Sequence, residues 1–296
     1  MINLILGILG VLTGWFALIF GKDIYKNREN LENNSFVVNS GIGLVGNFFD
    51  TLGIGSFAIL TAAFRGFDQV KDRIIPGTLN VSCTIPIVFQ AFVFMKAIDV
   101  EIVTLVTMIL ASIAGAYLGA GIISKMDERK IQLIMGVALL STALLMVSGQ
   151  MGWMPIGGDA IGLTGMKLAL GIFGNFVLGA LMTAGIGLYA PCMALIYVLG
   201  LSPAVAFPIM MGSCAFLMPV ASARFIKEKA YNRKAAIAIT LSGIIGVFIA
   251  AFIVKSLPIG LLTWLVVAVI TYTGGTLLYT VLNDDNDDEI FEKASV

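Results

Sequence analysis

Histidine is absent from the 296-residue chain, which excludes histidine metal sites, haem held by His, and Ser/His or Cys/His nucleophilic catalysis. Cysteine is scarce: Cys83, Cys192 and Cys214 all lie in apolar segments, and three thiols cannot build a disulfide framework. They read as small buried packing residues. Charge is scarce too, at 12% of residues against 58% hydrophobic, so the apolar surface exceeds what a soluble domain of this length buries. Lipid must be the solvent for much of it.

The charge-free runs Val103–Ser124 and Ala235–Val254 are long enough to cross a hydrocarbon core about 30 Å thick as helices. Their apolar character is continuous and not alternating, which disfavours a β-barrel. The first apolar stretch, Ile2–Phe20, lacks a basic leading region and a small-residue cleavage site, and its positive charges come after it. It is expected to be a retained helix with its N-terminus outside. The acidic segment Asp284–Glu292 is expected to be a solvated, flexible tail.

An internal repeat organises the rest. Thr51-Leu52-Gly53-Ile54-Gly55 recurs as Thr183-Ala184-Gly185-Ile186-Gly187 at an offset of 132, and Ala58, Ala62 and Pro76 meet Ala190, Ala194 and Pro208 at the same offset without a gap. The expected division is an N-terminal helix over 1–21, a cytoplasmic linker over 22–35 and a first repeat over 36–149. An outer loop over 150–163, a second repeat over 164–282 and a cytoplasmic tail over 283–296 complete it. Basic residues alternate oppositely in the two halves: Arg65, Lys71, Arg73 and then Lys125, Arg129, Lys130 in the first, and Arg224, Lys227, Lys229, Arg233, Lys234 in the second. Cytoplasmic loops collect Lys and Arg, so the halves are expected to be inverted with respect to one another, an architecture common among secondary transporters.

Inversion requires an odd number of crossings per half. Three helices per half are predicted at 75–95, 101–124 and 131–149, then at 204–223, 235–254 and 259–281. What precedes them must return to the side it left, and a hairpin of two half-helices broken at G-I-G fits the available length. Two full short helices per hairpin give the same parity. This drawing puts 15 of the 18 basic residues inside, leaving Lys96, Lys167 and Lys255 outside. The expected fold is thus an all-α polytopic membrane protein of two inverted repeats, with the C-terminus inside.

A helix broken in the membrane leaves backbone groups without partners, tolerable only where protein, water or ligand satisfies them. Gly53, Gly55, Gly185 and Gly187 suit such breaks, and two half-helix N-termini meeting near the midplane would make an anion site without Lys or Arg. The plainer reading of these glycines is tight helix packing, which is the role left to Gly115 and Gly119. Asp50 is the only acidic residue in the apolar part of the chain. An intramembrane carboxylate is costly unless protonated or paired, which points to a proton or a bound cation; its structural alternative is a cap on the second half-helix. Polar side chains near the breaks complete the candidate substrate site: Asn47, Thr51, Ser56, Asn80 and Ser82, then Asn175, Thr183, Tyr189, Ser213 and Cys214. Each alone is weak, because Ser and Thr commonly bond their own helix. Gly41-Ile42-Gly43-Leu44-Val45-Gly46 spells G-x-G-x-x-G but lies in a membrane run without a preceding strand, so it is rejected as a dinucleotide motif.

At these residues the chain resembles the sulfite exporter TauE/SafE family of membrane permeases. The second half carries the likeness best, in Gly171 through Gly187, Pro191, Gly200-Leu201-Ser202-Pro203-Ala204-Val205-Ala206 and Gly212-Ser213; the first offers Gly41 through Gly55 and Pro76-Gly77-Thr78. The chain departs from the family pattern in having Gly-Ile-Gly at both breaks and Ile59 opposite Pro191 at the repeat offset. The resemblance implies a bacterial inner-membrane protein that moves sulfur-containing anions such as sulfite or organosulfonates like sulfoacetate outward, coupled to protons. The partners expected are a small anionic substrate, the lipid bilayer and protons, with no cofactor and no nucleic acid; a homo-oligomer is left open. Two alternatives stand beside it: a transporter of a cation or soft metal, using Asp50 or the cysteines, and an intramembrane enzyme or sensor.

Overall fold

The computed structural model describes residues 2–153, 157–253 and 259–294; Lys255, expected to stand alone on the outer side, lies outside the described residues. Among the described residues the chain is helical, with no strand beyond one isolated bridge between Ala160 and Leu201. The helices are α1 (Ile2–Lys26), α2 (Phe36–Thr51), α3 (Phe57–Gly66), α4 (Ile75–Ala97), α5 (Ile102–Ile123) and α6 (Glu128–Gln150), followed by α7 (Gly165–Met182), α8 (Tyr189–Val198), α9 (Pro203–Lys227), α10 (Arg233–Phe248) and α11 (Ile259–Ala294). A 3-10 turn, Asp72–Ile74, leads into α4, and a π-segment, Ile249–Ile253, extends α10. Seven helical stretches among the described residues are long and apolar enough to cross a membrane. The chain is therefore a multi-pass membrane protein.

Local sequence sets many of the helix starts. The side chains of Ser35, Glu101, Asp127 and Asn232 accept N–H groups of the first turns of α2, α5, α6 and α10, and proline stands in the first turn of α4 and of α9. Pro86 in α4 and Pro208 and Pro219 in α9 lie inside helices, where neighbouring helices shield the freed carbonyls. α11 continues through the acidic segment to Ala294, where a flexible tail was expected from residue 284. Extending an existing helix needs no new nucleus, so the acidic residues add to α11 readily.

α9 is the most enclosed of the seven spans; α4, α5 and α1 pack on it. Two further pairings, α2 on α10 and α7 on α5, depend on glycine for close approach. A Cβ on Gly43 would strike Ser242 and Ile239 of α10, and one on Gly246 would strike the Leu44 carbonyl. Gly115 likewise lies against the Phe176 carbonyl and Gly119 against Ala180 and Thr183, which makes both the packing residues they were expected to be. Gly43, from the rejected dinucleotide pattern, is a packing glycine as well.

Hydrogen bonds tie the chain just after each short helix to the chain around the start of the helix before it. Asn34 and Asn39, at the start of α2, donate to the carbonyl and side chain of Gln69, just past α3. Before α7, Gly158 donates to the Leu201 carbonyl and Ser202 to the Ala160 carbonyl, which ties the chain there to the segment after α8. One end of the bundle is basic and is closed by a polar cluster: Arg233 Nε meets Asp23 at 2.7 Å, the Tyr231 hydroxyl donates to Asp23 at 2.5 Å, and Glu32 accepts the backbone N–H groups of Arg233 and Lys234 at 3.1 Å.

Candidate functional site

α2 ends in a glycine cap. Gly53, at φ +87°, donates its N–H to the Asp50 carbonyl at 2.9 Å, and Ile54 donates to Phe49 at 3.2 Å, so the last carbonyls of α2 are satisfied by a left-handed turn. Gly55, at φ +95°, turns the chain again, and α3 begins at Phe57. α7 closes more tightly, with Ala184 and Gly185 donating to Leu181 and Met182, and Gly185 at φ +94°. Gly187 is not left-handed.

The Asp50 carboxylate reaches forward across the first break. Its Oδ1 accepts the Ser56 backbone N–H at 2.5 Å, so it caps α3 in place of the Ser56 side chain, which makes no cap bond. Its Oδ2 accepts from Gln90 Nε2 of α4 at 2.8 Å and lies 3.3 Å from the Tyr189 hydroxyl. That hydroxyl also lies 3.0 Å from Gln90 Oε1. Asp50, Gln90 and Tyr189 are at most 3% exposed, and every hydrogen-bonding partner of the carboxylate is neutral. Tyr189 has one hydrogen to give. If it goes to Gln90, a proton on Asp50 Oδ2 would bond the tyrosine oxygen, so the trio has room for one more proton without rearranging.

The two breaks face one cavity. Asp50, Gly55, Ser56 and Phe57 line it from the first, Met182, Gly187, Leu188 and Tyr189 from the second, and Ile87 and Cys214 from α4 and α9. Met182 and Cys214 stand at the 132-residue offset from Asp50 and Ser82, and their sulfurs are 3.6 Å apart. The cavity measures about 10 Å³, enough for roughly one water. No side chain caps α8, whose first residues Leu188 and Tyr189 line this space, so its N-terminus lacks the carboxylate that α3 has. Among the described residues no three His, Cys, Asp or Glu side chains gather as a metal site.

Of the residues expected from sequence, Asp50, Gly55, Ser56, Gly187, Tyr189 and Cys214 meet at the cavity. The others do not line it. Thr51 and Thr183 bond carbonyls of their own helices, Asn47 and Asn80 donate to Gly43 and Pro76, and Ser82 bonds the Leu79 carbonyl. Asn175 bridges the Met108 carbonyl and Ser213 at 2.7 and 2.8 Å, and so joins α7 to α5 and α9. Gly53 and Gly185 shape the turns. Gln90 was not foreseen; the one signal for it is that it is the only carboxamide in the apolar run from Val81 to Met95.

Comparison with the curated proteins and with the solved structures gives no match. The family profile described as "Sulfite exporter TauE/SafE" matches residues 1–146 and 167–294, which span both halves and both breaks. With helices that can cross a membrane and a match over nearly its whole length, the chain belongs to the TauE/SafE sulfite exporter family, whose members are membrane transporters and not enzymes.

Proposed function

We propose that the chain exports a small sulfur-containing anion, sulfite or an organosulfonate such as sulfoacetate, in a proton-coupled cycle of alternating access. Two inverted repeats, each a re-entrant hairpin and three spans, carry it out, with Asp50 as the proton carrier. The observation that carries this reading is the placement of the Asp50 carboxylate on the Ser56 N–H at the entry to α3, beside the uncapped N-terminus of α8. The positive ends of two helices favour an anion there. While Asp50 is ionised it occupies the α3 donor itself and repels a second anion. Once protonated it no longer repels an anion and holds that donor only as a weaker, neutral acceptor, so anion and proton enter the site together.

Several features support the architecture. α3 and α8 occupy 57–66 and 189–198, at the repeat offset, and neither is long enough to span. Each break lies at the cavity while the outer ends of each hairpin are tied at their own end of the bundle. The pairing of α2 with α10 mirrors that of α7 with α5. The positive-inside rule then assigns the end bearing Arg65, Arg224 and Arg233 to the cytoplasm of a bacterial inner membrane. A cavity of about 10 Å³ has no room for a sulfonate, so the two tips must part for the anion to enter.

The test is proteoliposome transport of sulfite, sulfoacetate and taurine across an imposed pH gradient, with wild type and Asp50→Asn. Movement that follows the gradient in wild type and is uncoupled or lost in the variant supports the reading. Gradient-driven transport that survives in Asp50→Asn leaves Asp50 as a cap alone, and no movement of any of the three removes the substrate class.

A further inference from the structure

We propose that water enters the crevice between α2, α3 and α4 from the basic end of the bundle and reaches Asp50, which exchanges its proton with that side through it. The proposal rests on the reading of Asp50 as proton carrier and adds the route and the side chains that line it. Nine side-chain nitrogen or oxygen atoms among the described residues are buried without a hydrogen-bond partner, and seven of them belong to residues 34–80, on the first hairpin, its approach and α4. The other two, on Ser124 and Arg224, stand at the basic ends of α5 and α9.

Four of the seven lie inside the bundle: Asn47 Oδ1, Ser56 Oγ, Thr61 Oγ1 and Asn80 Oδ1, on residues at most 1% exposed. A buried polar atom without a partner costs its full desolvation, and internal water is the usual means of satisfying such a group. The two carboxamide oxygens can only accept, so what meets them must donate, as water does. At the offset of 132 the second repeat has Gly179, Leu188, Met193 and Gly212, none with a polar side-chain nitrogen or oxygen to satisfy. The polar lining therefore belongs to the half that carries Asp50.

These atoms lie between Asp50 and the basic end. α2 leaves that end beside Asn34, which bonds both the Gln69 carbonyl and Asn232 next to Arg233, and it passes Asn47 one turn before Asp50. α3 runs back from Ser56 at the break, through Thr61, to Arg65 and then Gln69. α4 starts at the same end, where the Asn232 N–H meets the Thr78 hydroxyl at 2.9 Å, and passes Asn80 before Cys83. The Cys83 thiol lies against the side chains of Asn47, Ser56 and Ser82, so the three helices meet beside the carboxylate. Asn34 Oδ1, Asn39 Oδ1 and Arg65 Nη1, the remaining unpartnered atoms of the seven, mark the mouth of the crevice.

Hydroxyl radicals generated in place by an X-ray pulse label side chains that touch internal water, and mass spectrometry would compare Cys83 with Cys192, which is equally buried but lies in the second repeat. Cys83 should be oxidised severalfold faster than Cys192. Thr61→Val should remove most of that excess, while Thr61→Ser, which keeps the hydroxyl, should retain it; Asn80→Leu makes the same comparison should Thr61→Val fail to fold. Proton uptake on sulfoacetate binding, followed by stopped flow, should keep its extent in Thr61→Val and slow about tenfold, the size of one lost hydrogen bond. The labelling needs no anion, so it decides the route even if sulfoacetate is the wrong substrate. Equal oxidation of Cys83 and Cys192, oxidation of Cys83 unchanged in Thr61→Val and Asn80→Leu, or protection of Cys83 by sodium, which would put an ion in place of the water, would each overturn the proposal. Proton uptake as fast in Thr61→Val as in wild type would overturn it as well.

Discussion

Gly55→Ala and Gly187→Ala change equivalent positions of the repeat, yet their effects should differ. Gly55 sits at φ +95°, a conformation that costs an L-residue about 1–3 kcal/mol, while a Cβ added there meets nothing within 4 Å. The penalty is therefore backbone strain without a steric clash. Gly187 is not left-handed, and a Cβ there also meets nothing within 4 Å, so alanine should be neutral or stabilising by up to about 1 kcal/mol through the unfolded chain. The difference of roughly 2 kcal/mol corresponds to several degrees in Tm. All three cysteines are free and buried, so thermal unfolding in mild detergent can be followed with a thiol-reactive fluorophore. Gly55→Ala should unfold several degrees lower than Gly187→Ala. Equal losses, or a greater loss at Gly187, would refute the assignment of strain to the first break.

Asp50→Ala removes the acceptor of Ser56 N–H and Gln90 Nε2 and should lower stability by about 1–3 kcal/mol relative to Asp50→Asn, which keeps an oxygen for Ser56; the same assay compares them. Asp23→Ala breaks the bonds to Arg233 and Tyr231 at the basic end and should destabilise by about 1–3 kcal/mol, measured as a loss of Tm. Glu101 is held below the usual carboxylate range by its hydrogen bonds to Thr104, so its contribution is present above that range and lost as pH falls through the lowered value. Tm of wild type and Glu101→Gln should accordingly differ at neutral pH and converge in acid.

The breaks were legible because they are written locally, in a glycine pattern repeated at a fixed offset. The partners of Asp50 were not. Gln90 is 40 residues away on α4, a helix apolar enough that no periodicity marks which face turns inward, and Tyr189 joins it only because the two tips converge. Sequence proximity to a break does not by itself bring a side chain to the cavity. Thr51, Thr183, Asn47 and Asn80 are close in sequence, but in an apolar interior their hydroxyl and amide donors turn to the carbonyl three or four residues back. Both readings of Asp50, cap and proton carrier, rest on the same carboxylate: the cap is in place, and the carrier role is what remains to be measured.

The most direct measurement is proton uptake on substrate binding. Sulfoacetate would be added to lightly buffered, detergent-solubilised protein and the pH change followed with an indicator dye. The account predicts about one proton taken up per anion bound by wild type and none by Asp50→Asn, because binding shifts the protonation of a single group. Anion binding to wild type without proton uptake, or the same uptake in Asp50→Asn, would contradict it.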